Sequence, residues 1–502
     1  MSDSISEPGQ LYQSKHIARN SLYNILGQIL PFLAALIAIP LLIQGIGKER
    51  FGILSIGWML MGYFSLLDLG LARVMTKLIG EKLGHGKQDD IREIFWSGLL
   101  FLLLLGLCAG GLLALAAPAI VSRILNIPPA LQQETRVSFL LLAAGVPLVT
   151  TTTGLRGTLE AFQKFGLVNI ARSLSGILLF STPLLLLHFT SALPWYILAL
   201  LIVRLVVGLF YAAIISRSLP ALRKMQTTFE FLKDMFRQGI WMSISNILGP
   251  VMVYFDRFFI GAWLSMAAVT FYVTPYEVVS KSLLITTALV RVLFPAFSTS
   301  YSVNLSHAGA LYRQGLRALY TLMFPLAMLL IALAEPGLRL WLGSEFADKG
   351  TQVAQWLAIG CLVNSPAQIA FSLIQAAGRA DFTAKLHIVE IPFYLLLLYV
   401  LVHRFGISGA ALAWCLRALI DSIILVFFAH RLLKNPGWHK LYSLFLASTM
   451  AALLATALQG TVLITASLTI IVLFLIFNWH VSTPAEKNHI RHVLKITKRV
   501  GK

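Results

Sequence analysis

Apolar stretches of about 20 residues recur along the whole chain with only short polar interruptions, each the length that an α-helix needs to cross a bilayer. Hydrophobic residues make up 58% of 502 and charged residues 12%, at a mean hydropathy of +0.80, well outside the range of water-soluble chains. The expected fold class is therefore an all-α polytopic membrane protein. Read against their polar borders, the runs give about fourteen spans: 18–44, 51–71, 94–117, 137–160, 166–189, 193–216, 239–264, 269–299, 314–334, 353–377, 384–402, 407–429, 441–458 and 461–479. The polar start, Met1 to Asn20, leads into a run too long for a signal-peptide core and without a small-residue cleavage site, so it reads as the first span.

The formal charge of +19 reports orientation first, because Lys and Arg accumulate on the cytoplasmic side of membrane proteins. With an even span count and the N-terminus inside, about 26 of the 40 basic residues fall in cytoplasmic segments, about 7 outside and 7 within spans. Both termini are expected in the cytoplasm, and nucleic acid is not an expected partner. Cys108, Cys361 and Cys415 each stand alone in an apolar run, so neither a disulfide nor a metal site is expected, and no cofactor is called for.

The chain also resembles itself. Asn24-Ile25-Leu26-Gly27 recurs as Asn246-Ile247-Leu248-Gly249, Leu71-Ala72-Arg73-Val74 resembles Leu289-Val290-Arg291-Val292, and Arg204 corresponds to Arg417. The offsets fall smoothly from 222 to 213, as small loop deletions would produce. Two six-helix lobes follow, 1–236 and 237–439, related as parallel repeats, with two additional spans in 440–480 and a basic tail in 481–502.

The stretch from Asn24 to Gly86 has Pro40 and Gly47 at a turn, Phe51-Gly52 opening the second span and Asp68-Leu69-Gly70 closing it; Tyr254 to Gly261 reads YFDRFFIG and Val292 to Ser298 reads VLFPAFS. In their order and spacing these resemble the polysaccharide transport branch of the multidrug/oligosaccharidyl-lipid/polysaccharide exporter superfamily, which includes the Wzx-type O-antigen flippases. The resemblance covers about the first 430 residues. It implies paired six-helix bundles around a cationic cavity, alternating access, and a polyprenyl-pyrophosphate-linked oligosaccharide as substrate in the bacterial inner membrane. Polysaccharide polymerase machinery and H+ or Na+ as coupling ion are candidate partners beside the lipid bilayer.

A basic residue at a helix centre costs about 2.5–3.5 kcal/mol on insertion scales, so embedded charges mark candidate sites. Arg204, Arg257, Lys281, Arg291 and Arg417 are the cationic candidates for a cavity that grips a pyrophosphate, for which the planar guanidinium fork is suited. Asp68, Asp256, Glu277, Glu390 and Asp421 are the acidic partners or coupling candidates, and Asn24, Gln28, Asn246, Asn364 and Gln368 are candidates for a polar lumen.

Residues four apart share a helix face, so Arg156–Glu160, Glu277–Lys281 and Arg417–Asp421 can neutralise themselves locally. Arg156 and Arg172, near a cytoplasmic end, read as snorkelling side chains. Arg204 has Leu200 and Gly208 at its pairing positions, which leaves it either facing the cavity or holding a carboxylate on another span, such as Glu390 or Asp256. Asp256 and Arg257 point about 100° apart on a helix, and nothing in the sequence chooses which faces across.

An ion-coupled multidrug exporter of the same superfamily is one alternative, although spans 1, 3, 5 and 6 hold no Asp or Glu. A membrane-embedded polymerase or glycosyltransferase is another. Against an enzyme, the longest loops, near Val121 to Arg136 and Arg217 to Arg237, run to only about 20 residues, and no phosphate-binding G-x-x-x-x-G-K-[ST] loop is present.

Overall fold

A computed structural model describes residues 14–64, 68, 71–84, 88–227, 255–434 and 439–481. The described chain is helical throughout its spans, and ten stretches are long and apolar enough to cross a bilayer. Two of these contain a glycine break that divides them, and two shorter helical pieces cover parts of spans 7 and 13, in keeping with the fourteen apolar runs. The protein is a multi-pass helical membrane protein.

The first half comprises α1 (Ser14–Phe64), α2 (Leu71–Gly84), α3 (Gln88–Ala119), α4 (Pro129–Ala161), α5 (Phe165–Leu186) and α6 (Leu193–Ser218), with the described part of α7 at 255–263. The second comprises α8 (Met266–Val279), α9 (Leu283–Val303), α10 (Leu305–Ala332), α11 (Ala334–Leu342), α12 (Ser344–Ala376), α13 (Ala380–Leu433), α14 (His439–Ala455) and α15 (Gly460–Val481).

Contacts divide the chain into two compact units, Met1–Thr270 and Phe271–Lys502. The expected lobe boundary at 236/237 lies outside the described residues. What draws α7 and the start of α8 to the first unit is polar as well as apolar. Asn126 donates through its side chain to Leu264 O (2.5 Å), and its backbone N–H donates to Gly261 O (2.9 Å). Ala267 N–H donates to the Glu49 carboxylate (3.0 Å), and Thr270 Oγ1 to Lys48 O (2.7 Å).

In the first unit, α3 and α6 pack on α4, and α1 packs on α5. Gly47 (φ 83°, ψ 161°) breaks α1 into two spans, in a region of backbone space that an L side chain rarely enters. Just beyond it, Arg50 and Glu134 pair at 3.1 Å, and the same carboxylate accepts the backbone N–H of Leu193 at the start of α6, tying α1, α4 and α6 together.

The second unit is built around α12, whose membrane stretch is 83% buried against α9, α10, α11 and α13. Gly406 (φ 58°, ψ −137°) breaks α13, and the chain folds back: Phe382 and Phe428, 46 positions apart, stack with ring centroids at 3.7 Å. Near the turn the two arms come so close that a Cβ on Gly409 would lie 1.9 Å from the carbonyl oxygen of Leu401. Helix α15 is pinned to α10 by Arg317, which donates to Asn478 O (2.9 Å) and Asn478 Oδ1 (3.2 Å).

Candidate functional site

The first unit contains a partly open cavity of about 230 Å³ lined by three arginines from three successive helices: Arg156 of α4, Arg172 of α5 and Arg204 of α6. Two of them converge because α4 and α5 form a tight hairpin. Arg156 and Arg172 lie eight residues either side of Lys164, so an antiparallel turn there brings them to the same depth. Helix α6 packs on both neighbours and adds Arg204 from its midpoint.

Glu160 is the one carboxylate at this cluster among the described residues. Its Oε1 lies 3.6 Å from Arg156 Nε and 3.9 Å from Arg172 Nη2. Among the described residues Arg204 has neither an ion-pair nor a hydrogen-bond partner. Three guanidinium cations and one carboxylate leave a net charge of +2 at the cavity.

The remaining lining sharpens that charge. Thr152 and Thr153 donate to Leu148 O (2.7 Å) and Thr150 O (2.6 Å), and Ser175 donates to Arg172 O (2.9 Å). With these hydroxyl protons committed to the backbone, guanidinium N–H groups and the Tyr211 phenol are the donors that the lining can offer a guest. Such a surface is complementary in charge to an anion, and its volume is below the roughly 300–1,000 Å³ of pockets that enclose drug-sized ligands.

Of the five cationic candidates named from sequence, Arg204 alone lines this cavity. Arg257 is buried, 3% exposed, beside the equally buried Asp256, whose carboxylate accepts the Arg257 backbone N–H (2.7 Å); neither opens onto a described cavity. Lys281 pairs with Glu277 at 3.2 Å, as their spacing predicts, across a one-turn 3₁₀ break between α8 and α9. Arg291 is exposed on α9.

The expected Arg417–Asp421 pair is replaced by another: Arg417 Nη1 reaches across the α13 hairpin to Glu390 Oε2 (3.9 Å), and Asp421 Oδ1 lies 4.0 Å from His387 Nε2. The physical reason is the fold-back at Gly406, which offers Arg417 a carboxylate on the opposite arm. Asp68 is buried, with its carbonyl accepting from Leu71 N–H (2.9 Å).

Asn364 and Gln368 share one face of α12. Together with Phe371 they are the only positions from 357 to 374 that are not buried, so this face is partly exposed, polar at Asn364 and Gln368 and aromatic at Phe371. The side chains of Asn24 and Gln28, and all of Asn246, lie outside the described residues.

Sequence reasoning missed Arg156 and Arg172 as cavity residues, reading both as snorkelling and Arg156 also as paired with Glu160, a pair that the structure does hold. Their equal distance from the Lys164 turn is the signal that could have found them. It also foresaw no metal-ligand set, because the ligand atoms of His387, Glu390 and Asp421, all within 4.8 Å of one another, are brought together only by the hairpin.

A family model described as "Polysaccharide biosynthesis protein" matches residues 17–301. The chain is 30% identical over 413 residues to the "Putative O-antigen transporter" of Shigella flexneri, covering 82% of this chain and 96% of that protein. It is 23% identical over 267 residues to the "Probable low-salt glycan biosynthesis flippase Agl15" of Haloferax volcanii, covering 52% of this chain and 55% of that one. Among solved structures, the lipid II flippase MurJ in an inward closed conformation shares the fold, with a TM-score of 0.70 at 14% identity, over 90% of this chain and 97% of that one.

Proposed function

We propose, from the premise that this chain belongs to the polysaccharide biosynthesis protein family, that it is a flippase for polyprenyl-pyrophosphate-linked oligosaccharide. The observation that carries the reading is the three-arginine cavity of the first unit. A diphosphate diester carries two negative charges, which match the net +2 of the lining, and its oxygens suit the guanidinium fork. The cavity volume suits the diphosphate, and the glycan would extend through its open side. The names of the two sequence relatives, an O-antigen transporter and a glycan biosynthesis flippase, support the same reading.

On this reading the protein sits in the bacterial inner membrane with both termini in the cytoplasm, and works by alternating access of two repeated lobes. It transports and does not catalyse bond chemistry. A cationic drug would meet repulsion at Arg156, Arg172 and Arg204, which disfavours the multidrug alternative.

Reconstitution tests the function directly. Proteoliposomes containing polyprenyl-pyrophosphate-linked oligosaccharide are treated with an impermeant glycosidase. Protein-free vesicles should lose only the glycan on the outer leaflet; vesicles carrying the protein should lose nearly all of it. Equal loss from both would sink the proposal.

A further inference from the structure

The two arms of α13 bring four ionisable groups together in the second unit. From the first arm come His387 and Glu390, and from the second Arg417 and Asp421. Glu390 is 7% exposed, Asp421 5% and Arg417 8%, so all three are more than nine-tenths buried within apolar helices. Among the described residues, neither oxygen of Glu390 accepts a hydrogen bond, and neither Asp421 Oδ1 nor Arg417 Nε has a hydrogen-bond partner. Arg417 also lies over the Tyr394 ring at 5.7 Å.

Counting charges decides what is missing. Two carboxylates against one guanidinium leave the cluster at −1 with His387 neutral, in surroundings where an uncompensated charge is expensive. Among the described residues, no Lys or Arg other than Arg417 pairs with either carboxylate. Helix α12, packed along the hairpin, contributes the Phe371 ring, which stacks on His387 at 5.9 Å and 6°, and the buried thiol of Cys361 toward Cys415. Helix α10 contributes Tyr312 against His430, nearer the end of the second arm. Arg379, Asp381 and Lys385 pair with one another at the exposed start of α13.

A metal ion fits poorly. Hard cations take six or more oxygen ligands, whereas three groups are available here, one of them an imidazole, with a guanidinium 3.9 Å from one carboxylate. A proton needs only two neighbouring oxygens, and a carboxylate oxygen of Glu390 and one of Asp421 lie within 4.8 Å of each other. We propose that Glu390 and Asp421 form a proton-binding site that holds one proton between them, with Arg417 fixing the stoichiometry at one and His387 as its path to the partly exposed face of α12. His387 is suited to that path. It is half-buried, its Nε2 is 4.0 Å from Asp421 Oδ1, and its ring lies against Phe371 on the face that also exposes Asn364 and Gln368. The site does not depend on what the protein transports, so it stands or falls separately from the flippase reading. If both hold, it is where a proton gradient could act on the second unit.

Dicyclohexylcarbodiimide, which reacts with protonated carboxyls in apolar surroundings, tests this on the intact protein in lipid nanodiscs, with peptide mapping to locate the adduct. In sodium-free buffer, label is expected on Glu390 or Asp421 of the unaltered chain. Glu390→Gln should abolish label on Asp421, and Asp421→Asn should abolish label on Glu390, because the single remaining carboxylate is then neutralised by Arg417. Arg417→Gln should retain label. His387→Gln should slow labelling without removing it. Absence of label from both carboxyls of the unaltered protein overturns the proposal, as does label that survives on the remaining carboxyl in both single variants. Protection of the unaltered protein by Na+ but not by choline would make the occupant sodium and overturn the assignment to a proton. The labelling of the unaltered chain is decisive even if a variant fails to fold.

Discussion

At the scale of single residues, Arg204 differs from its two cavity neighbours in having no carboxylate to satisfy it, whereas Arg156 and Arg172 share Glu160. Arg204→Ala should therefore insert and fold, since it removes an embedded cation instead of stranding one. Binding of inorganic pyrophosphate to the purified protein, measured by calorimetry, should weaken by roughly 10–100-fold, the equivalent of losing a charged hydrogen bond of about 1.5–3 kcal/mol. Arg204→Lys should recover part of it, keeping charge without the planar fork. Glu160→Gln should act in the opposite direction and tighten pyrophosphate, because it removes the anion already competing for two of the three guanidiniums. Unchanged affinity in Arg204→Ala would take this residue out of the site.

At the scale of elements, the hairpin of α13 is the feature on which the second unit's ionisable cluster rests. Its closeness depends on Gly409, where a methyl group would be driven into the backbone carbonyl of Leu401, an atom that cannot turn aside as a side chain can. Gly409→Ala should lower the thermal unfolding midpoint, with overpacking of this kind costing about 1–3 kcal/mol. Gly111 on α3 is the control: nothing lies within 4 Å of its virtual Cβ, so Gly111→Ala should leave the midpoint unchanged or raise it slightly through helix propensity. Equal midpoints for the two variants would mean that the arms can separate without penalty. The pairing of Arg317 with Asn478 makes α15 part of the second unit's packing and not a loose appendage.

At the scale of the whole molecule, the asymmetry of basic residues leads to a topological prediction. A reporter active only outside the cytoplasm, fused after Lys502, should be silent, and activity there would mean that the number of spans is odd. The internal repeat proposed from the sequence would make Arg73 and Arg291 counterparts; both are exposed, on α2 and α9, while the Asn24 and Asn246 side chains that anchor the repeat in sequence fall outside the described residues.

The spans, the breaks between them and the inventory of embedded charges were legible in the sequence because each depends on local composition. Lipid length selects the runs, and Gly47 sits where the turn after Pro40 was read. The pairs Arg156–Glu160 and Glu277–Lys281 were legible because side chains four positions apart meet on one helix face, a spacing that Arg417 and Asp421 also have and that a neighbouring arm overrides there. What the tertiary structure decided is which helices meet. Lipid and protein interior are equally apolar, so these helices carry little amphipathic signal to say which face turns inward. The gathering of Arg156, Arg172 and Arg204 from three helices, and the choice of Glu390 over Asp421 as the ion-pair partner of Arg417, therefore come from packing and not from spacing.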